Sequence, residues 1–304
     1  MNSLDKSDGS IVVTGATGWV GRTVMEHLFQ TFPPQRLRAF ASRAGAFTLP
    51  DGQQVPLHPL GDLPSMATSE PIAALLHCAF LTPDRVADLG AHSFADTNRA
   101  ISQLVGAALE RSPSTRVVSV SSGAAALLET GGSSLSEATA LYGQLKLEEE
   151  SLLSCIAPTL VLRIYALSGR HMRDPRRYAL GDFLQQALSG LPVTIQSTRQ
   201  VIRSYGHADA IAALALRWLG DHRPPPSRPL ATVSHTVDLL TLAETIAELY
   251  GQPSPKAPVE WEGVPDAYIA SEDGFREALS SYQLSTCSLA EQIRDTAKAI
   301  NQSD

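Results

Sequence analysis

A glycine-spaced turn near the N-terminus constrains the fold more than any other feature of the chain. The β-branched run from Ile11 to Thr14 leads directly into Gly15-Ala-Thr-Gly18-Trp-Val-Gly21, and a segment with helical periodicity follows. Glycines at this spacing allow a tight turn and a close approach of a pyrophosphate, which the positive N-terminus of the helix attracts. Strand, glycine turn and helix in this order predict a dinucleotide-binding Rossmann unit. The predicted cofactor contacts in the turn are Gly15, Thr17, Gly18, Trp19, Val20 and Gly21.

Short apolar strands and helical segments continue to alternate through the first half of the chain. Further strands are predicted at residues 37–42, 73–79, 116–120 and 160–164, helices at 20–29, 93–110 and 138–156, and a Gly- and Pro-rich loop from 45 to about 66. This alternation predicts an α/β fold, a doubly wound parallel sheet buried on both faces. After residue 169 the pattern is less regular. We therefore predict a Rossmann domain at residues 1–168. Residues 169–304 are predicted to form a smaller, mainly substrate-binding lobe, with some segments packing back on the sheet.

Composition excludes several other classes of protein. The 304 residues are 43% hydrophobic and 18% charged with a net charge of -7, which argues against disorder and against a surface for nucleic acid or anionic lipid. The polar start MNSLDKSDGS does not resemble a signal peptide, and no apolar run reaches the roughly eighteen residues of a membrane span. The isolated cysteines Cys78, Cys155 and Cys287 and the spacing of His, Asp and Glu suggest neither a disulfide framework nor a metal site. We expect a cytoplasmic protein that binds small molecules.

The end of the second strand indicates which dinucleotide is bound. In this fold an acidic residue there holds the 2′-hydroxyl of NAD, whereas an arginine accepts the 2′-phosphate of NADP. The strand here ends Ala39-Phe-Ala-Ser42-Arg43 and carries no carboxylate. The sequence therefore predicts NADP as the cofactor, with NAD as the alternative, and Ser42 and Arg43 as contacts of the adenosine ribose.

Tyr142 and Lys146 lie one helical turn apart on the same face of a predicted helix. A free phenol has a pKa of about 10, and a neighbouring ammonium lowers it. Tyr142 can then exchange a proton with a carbonyl oxygen as hydride arrives, while Lys146 also holds the cofactor ribose. Upstream, a predicted strand ends in Ser121-Ser122 at the sheet edge where ligands bind. Ser122 is therefore expected to orient the reacting carbonyl beside Tyr142.

Together these residues resemble the extended short-chain dehydrogenase/reductase family, the NAD-dependent epimerase/dehydratase group that acts mainly on nucleotide sugars. The resemblance implies that Ser122, Tyr142 and Lys146 form the catalytic triad. It implies further cofactor contacts at Asp62, Leu63, Cys78, Ala79, Phe80, Asn98 and Ile164, and substrate contacts at Ser122, Gly123 and Arg203. Arg203 lies in Arg203-Ser-Tyr-Gly-His-Ala-Asp209, which is similar to a family motif whose arginine meets a substrate phosphate. The resemblance also implies a homodimer formed through residues 93–110 and 138–156.

Several residues depart from the family pattern, and these differences reduce the number of activities that the sequence predicts. Ala125-Ala-Leu127 replaces a frequent Val-Tyr-Gly run, and Ala166 replaces an asparagine that often contacts the nucleotide diphosphate. The absence of acidic residues directly after Ser122 disfavours a 4,6-dehydratase, which needs an additional acid/base pair. We predict an NADP-dependent ketoreductase acting on a nucleotide-linked deoxyketosugar. The alternatives are a nucleotide-sugar 4-epimerase with bound NAD, a carbonyl reductase of an aromatic or polyketide-type ketone, and a nucleotide-sensing regulator without catalysis, against which Tyr142 and Lys146 argue.

Overall fold

A computed structural model describes Leu4, residues 8–131 and residues 135–301. Most of the polar N-terminal segment discussed above lies outside these residues. The strands are β1 Ser10–Thr14, β2 Leu37–Ala41, β3 Gly45–Thr48, β4 Gln54–Pro59, β5 Ile72–His77, β6 Arg116–Ser122, β7 Thr159–Ile164, β8 Ala166–Ser168, β9 Val201–His207, β10 Leu230–Ala231, β11 His235–Asp238 and β12 Asp266–Tyr268. The helices are α1 Trp19–Thr31, α2 Leu63–Ser69, α3 Val86–Leu89, α4 Ala91–Glu110, α5 Gly123–Glu129, α6 Glu137–Ile156, α7 Ala179–Leu188, α8 Ala208–Leu219, α9 Leu239–Leu249, α10 Asp273–Ser281 and α11 Leu289–Asn301.

The chain divides into two compact units. The first comprises Met1–Arg163 and Ala212–Leu230, and the second Ile164–Ile211 and Ala231–Asp304. In the described part of the chain, the first unit is built on an eight-stranded sheet in the order β10-β7-β6-β5-β1-β2-β4-β3. The fully buried β1 pairs in parallel with β2 on one side and β5 on the other. Strands after β1 are added first on the β2 side and then on the β5 side, so β1 adjoins the switch point where doubly wound sheets bind ligands. The predicted fold class is confirmed.

The prediction of a loop over residues 45–66 was wrong. This segment contains β3 and β4, which pair in antiparallel fashion, and β4 adds to the main sheet in parallel with β2. Phe47 and Val55 are buried, while Gly52, with φ of +88°, makes the turn between the strands. The two strands escaped prediction because Pro56 and Pro59 interrupt a short alternating pattern that is otherwise typical of a half-buried strand.

Helices α4 and α6 cover one part of the sheet and share its apolar core. Val12 and Leu75 of the sheet pack in one buried cluster with Leu109 of α4 and Leu153 of α6. The packing of Leu153 in this cluster and the burial of Lys146 and Glu149 show which face of α6 is turned toward the sheet. None of the described helices is long and apolar enough to cross a bilayer.

The second unit contains a small sheet centred on β9. In the described residues β9 pairs with β11 in antiparallel fashion and with β8 and β12 in parallel, so that Arg203 lies opposite Tyr268 and Tyr205 opposite Ala166. Helices α9 and α11 pack against this sheet, and α7 packs against both helices. The polar side chains at the middle and end of β9 therefore have neighbours from three other strands.

Candidate functional site

The glycine turn after β1 is formed by close backbone packing. Gly15 has φ of +64°, and a Cβ there would lie 2.6 Å from the Ala79 nitrogen. A Cβ at Gly21 would lie 2.2 Å from the Gly15 oxygen, so α1 can approach the turn only without a side chain at this position. A Cβ at Gly18, by contrast, would meet the Gly15 oxygen at 3.2 Å and, among the described residues beyond its chain neighbours, nothing else within 4 Å. The outer face of the turn therefore leaves room for a pyrophosphate beside the N-terminus of α1, and the turn fits a dinucleotide.

The ends of β1 and β5 are joined beside this turn. The Thr14 hydroxyl accepts hydrogen bonds from the Cys78 and Ala79 amides, each at 3.3 Å, and lies 2.6 Å from Nδ1 of His77. Burial raises the pKa of the Cys78 thiol to about 12, so the thiol stays neutral. The segment from Cys78 to Phe80, predicted to line the cofactor, thus lies directly against the glycine turn.

Asn98 has a structural contact that the sequence did not reveal. Its side-chain oxygen accepts a hydrogen bond from the Leu81 amide at 2.7 Å, and its amide group donates to the Leu81 carbonyl at 3.3 Å. The side chain is fully buried. Asn98 therefore fixes the backbone just after Phe80.

The adenosine end of the predicted site carries exposed polar residues. Ser42 and Arg43 follow β2 and are exposed, as is Asp62 after β4, whereas Leu63 is fully buried and packs in the core. Sequence reasoning missed Arg22, although it directly follows the third glycine. Its guanidinium lies 5.0 Å from the centre of the Phe47 ring and donates to the Thr17 carbonyl at 3.3 Å. A second cation therefore flanks the glycine turn.

Two short-range features position the catalytic candidates on β6, α5 and α6. Ser122 ends β6 and caps α5, because its hydroxyl accepts a hydrogen bond from the Ala124 amide at 3.2 Å; Gly123 is the buried first residue of that helix. A Cβ at Gly143 would lie 2.8 Å from the Ala124 oxygen, so α6 contacts the α5 backbone directly. This contact joins Gly143, the residue after Tyr142, to Ala124, two residues after Ser122. It therefore holds the part of α6 that carries Tyr142 against the start of α5, which Ser122 caps.

The Phe80 ring, in the segment predicted to line the cofactor, contacts both Tyr142 and Lys146. The Tyr142 ring meets the Phe80 ring edge-on with centroids 5.7 Å apart. The Lys146 Nζ lies 3.6 Å from the centre of the same ring and donates to the Val120 carbonyl at 2.8 Å. The predicted tyrosine, lysine and cofactor-lining residues thus form one cluster.

The sequence did not reveal that Glu149, one turn after Lys146 on α6, forms a buried ion pair with it. Its carboxylate accepts a hydrogen bond from Lys146 Nζ at 3.0 Å and lies 3.1 Å from Nε2 of His77. Burial favours the neutral acid, but the Lys146 ammonium and His77 outweigh it and bring the pKa of Glu149 to about 2. In a run of three glutamates Glu149 looks like a solvated residue; its place three residues after Lys146 is the one signal that indicates an ion pair.

Arg163 forms a second buried ion pair behind α6. Its guanidinium contacts both oxygens of Glu150, at 2.9 and 2.6 Å, and one oxygen of Glu129 at 2.6 Å. The Arg163 and Glu150 side chains are 7% and 9% exposed. Burial lowers the pKa of the guanidinium, but the two carboxylates outweigh it and raise the pKa above its usual range. The pair fixes α6 against β7.

In the second unit, Arg203 contacts its neighbour on β12. Its guanidinium donates to the Asp266 carboxylate at 2.7 Å and to the Asp266 carbonyl at 2.8 Å. Beside this pair the rings of Tyr165 and Tyr268 lie 4.9 Å apart. Ile164, the last residue of β7, directly precedes Tyr165. The predicted phosphate ligand is thus held beside two aromatic rings.

His207, Asp209 and Asp295 lie close enough together to suggest a metal group. The carboxylates are, however, already paired: Arg170 contacts both, and Lys298 lies 3.0 Å from Asp295. Burial lowers the pKa of His207, but the hydrogen bond to Asp295 outweighs it and raises the pKa to about 9. The two carboxylates are therefore already paired with three basic side chains, Arg170, His207 and Lys298.

A comparison with protein families establishes the class of the chain. The model described as the NAD dependent epimerase/dehydratase family matches residues 11–228. This range includes the glycine turn, Ser122, Tyr142, Lys146 and Arg203. The chain belongs to the NAD-dependent epimerase/dehydratase family, as the sequence resemblance implied. No curated protein sequence matches the chain significantly.

Solved structures share the fold over almost the whole length. MoeE5 in complex with UDP-glucose and NAD is 22% identical with a TM-score of 0.71, and the match covers 97% of this chain and 99% of that one. UDP-glucuronic acid 4-epimerase from Bacillus cereus, with UDP-glucuronic acid and NAD, is 17% identical with a TM-score of 0.71, covering 97% and 100%. UDP-N-acetylglucosamine 4-epimerase from Methanobrevibacter ruminantium M1, with UDP-N-acetylmuramic acid, is 17% identical with a TM-score of 0.72, covering 98% and 100%.

Proposed function

We propose that this protein catalyses NAD(P)-dependent hydride transfer at a carbon atom of a sugar carried on a nucleoside diphosphate. The observation that carries the proposal is the cluster of Tyr142 and Lys146 on the Phe80 ring, in the segment that adjoins the glycine turn. The nucleotide-sugar part is supported by the UDP-sugars bound in the similar solved structures.

The residues of the chain have distinct tasks in this reaction. NAD(P) supplies or accepts the hydride. The amides of the glycine turn bind the pyrophosphate, and Lys146 holds a positive charge beside the cofactor-lining segment. Ser122 orients the reacting oxygen by hydrogen bonding, and Tyr142 gives that oxygen a proton during reduction or removes one during oxidation. Arg203 binds the substrate diphosphate.

The first candidate activity is an NADP-dependent ketoreductase. It is favoured by the end of β2, where Arg43 stands in place of a carboxylate, and by Arg22 beside the turn. The second candidate is a 4-epimerase that retains NAD, favoured by the NAD-bound epimerases among the similar structures. Identification of the nucleotide released from acid-quenched purified protein separates them, since an epimerase keeps its cofactor through the reaction cycle.

We also propose that the protein is a cytoplasmic homodimer joined through α4 and α6.

Replacing Arg43 with alanine is expected to weaken NADPH binding by about 1.5–3 kcal/mol, the range for a hydrogen bond to a charged group, and to leave NADH binding nearly unchanged. Fluorescence titration with both nucleotides measures the effect. Arg111→Ala is the matched control, because Arg111 is an exposed arginine just after α4, near the start of β6. Wild-type protein that prefers NADH would contradict the assignment of NADP.

Nucleoside diphosphates are expected to bind the cofactor-loaded protein in competition with substrate, and Arg203→Lys should weaken them by about tenfold or more. A lysine cannot reproduce the two parallel hydrogen bonds of a guanidinium on a diphosphate. Calorimetric titration with UDP, TDP, GDP and CDP tests this, with Arg276→Lys, in a surface ion pair with Glu272, as control. If none binds at millimolar concentration, the nucleotide-sugar proposal fails and a reductase of a small ketone replaces it.

A further inference from the structure

Glu149 is a buried carboxylate with four side-chain partners on four structural elements. One oxygen contacts Lys146 of α6 at 3.0 Å and the Ser119 hydroxyl of β6 at 3.3 Å. The other contacts His77 of β5 and the Ser102 hydroxyl of α4, each at 3.1 Å. The side chain is 0% exposed. A carboxylate without access to water is tolerated only when it is paired and hydrogen-bonded, and both conditions are met here.

The contacts continue from Glu149 to the glycine turn. His77 joins Glu149 through Nε2 and Thr14 through Nδ1, at 3.1 and 2.6 Å. Thr14 is the last residue of β1 and directly precedes Gly15. On the other side, Lys146 reaches the Val120 carbonyl and the Phe80 ring. A continuous polar chain thus links the glycine turn to the lysine of the catalytic cluster.

We propose that Glu149 is a positioning residue. It keeps the Lys146 ammonium charged and fixed at the Phe80 ring, although the lysine side chain is almost completely buried. The proposal rests on the hydride-transfer function proposed above. Lys146 is 3% exposed, and within the described residues Glu149 is the carboxylate that forms its ion pair. Removal of one partner from a buried pair leaves an uncompensated charge, which the protein avoids by releasing a proton.

The other groups that face the pair do not replace this charge. Cys78, directly after β5, is neutral, since burial raises its pKa to about 12. His77, also of β5, can contribute only positive charge, and the contacts from α4 and β6 are uncharged hydroxyls. Tyr142, which also contacts the Phe80 ring, carries a phenol and not a carboxylate. Without Glu149, the ammonium would therefore have no permanent negative partner.

The test is the titration of Lys146 in wild type, Glu149→Gln and Glu148→Gln. The chain has four lysines, Lys6, Lys146, Lys256 and Lys298, so side-chain NMR signals of labelled lysine are few, and Lys146→Met assigns the relevant one. We expect Lys146 to lose its proton at least about one pH unit lower in Glu149→Gln than in wild type. Glu148→Gln, which alters the half-exposed neighbour paired with Arg99, should leave the titration unchanged. An unchanged titration in Glu149→Gln would overturn the proposal.

Cofactor binding gives an independent readout that needs no substrate. The dissociation constant for NADPH or NADH should rise in Glu149→Gln, and the ratio to wild type should grow as the pH is increased from 6 toward 9. A merely structural loss would weaken binding by the same factor at every pH and contradicts the proposal. If the wild type binds neither nucleotide, the proposed function fails, while the lysine titration still decides the role of Glu149.

A folding defect can also be interpreted. If Glu149→Gln does not fold, the double variant Glu149→Gln/Lys146→Met should recover folded protein, because it removes the uncompensated charge as well. The thermal unfolding midpoints of the two variants provide the measurement. A double variant that is less stable than Glu149→Gln would show that the ammonium is not what Glu149 compensates.

Discussion

Replacing Tyr142 with phenylalanine is expected to reduce turnover by about 10²–10⁴-fold, the usual contribution of a positioned general acid, and to leave cofactor affinity nearly unchanged. Phenylalanine retains the ring that meets Phe80 edge-on at 5.7 Å and removes only the hydroxyl. The contacts of Lys146 with Glu149 and Val120 do not involve the tyrosine. The loss should therefore fall on proton transfer and not on binding.

Single-turnover measurement of hydride transfer separates the two effects, since product release does not enter the rate. Tyr250→Phe, at the end of α9, is a suitable control for removing a hydroxyl elsewhere in the chain. A rate for Tyr142→Phe within a few-fold of wild type would exclude Tyr142 as the proton donor. A large increase in the dissociation constant for the cofactor would instead assign it a binding role.

Replacing Arg163 with methionine is expected to lower the free energy of unfolding by about 3–5 kcal/mol, the cost of leaving a buried charge without its partner. Glu150 would lose both hydrogen bonds from the guanidinium, and its side chain is only 9% exposed. Methionine fills most of the volume of the arginine stem, so the loss should come from the charge rather than from a cavity. Equilibrium unfolding in urea measures the difference.

Arg99→Met is the matched control for this measurement. Arg99 also forms an ion pair with a glutamate of α6, but its side chain and that of Glu148 are 47% and 37% exposed. Exposed pairs contribute about 0–1 kcal/mol, so this variant should remain close to wild type. Adding Glu150→Gln to Arg163→Met should restore part of the lost stability. Equal losses in Arg163→Met and Arg99→Met would contradict the importance of burial.

The parts of the site that were predictable depend on local spacing. The glycines at 15, 18 and 21 and the pair Tyr142 and Lys146 each lie within seven residues, so strand, turn and helix geometry suffice to interpret them. The doubly wound parallel sheet was predicted from the alternation of apolar strands and helices. Short strands were harder to predict from the sequence. Strands β3 and β4 were missed because two prolines interrupt the strand pattern in that segment.

The contacts that the sequence did not reveal join distant residues. Glu149 and His77 are separated by 72 positions, and Arg203 and Asp266 by 63. The three-residue spacing from Lys146 does not single out Glu149, because Glu150 lies four residues after the same lysine and could equally pair with it. A carboxylate on a helix is also usually solvated. Which of them is buried depends on the packing of α6 against the sheet. Tertiary structure, rather than residue type, therefore assigns their roles.

The three consecutive glutamates of α6 also fix the orientation of the helix about its own axis. Successive residues of a helix point about 100° apart, and here Glu148 contacts α4 through Arg99, Glu149 contacts β5 through His77, and Glu150 contacts β7 through Arg163. A rotation of α6 by one residue, about 100°, would therefore break all three ion pairs together. A one-residue insertion or deletion between Tyr142 and Glu148 would set the phenol and these anchors out of phase. We therefore expect insertions and deletions to be tolerated before Glu137, where α6 begins, but not between Tyr142 and Glu148.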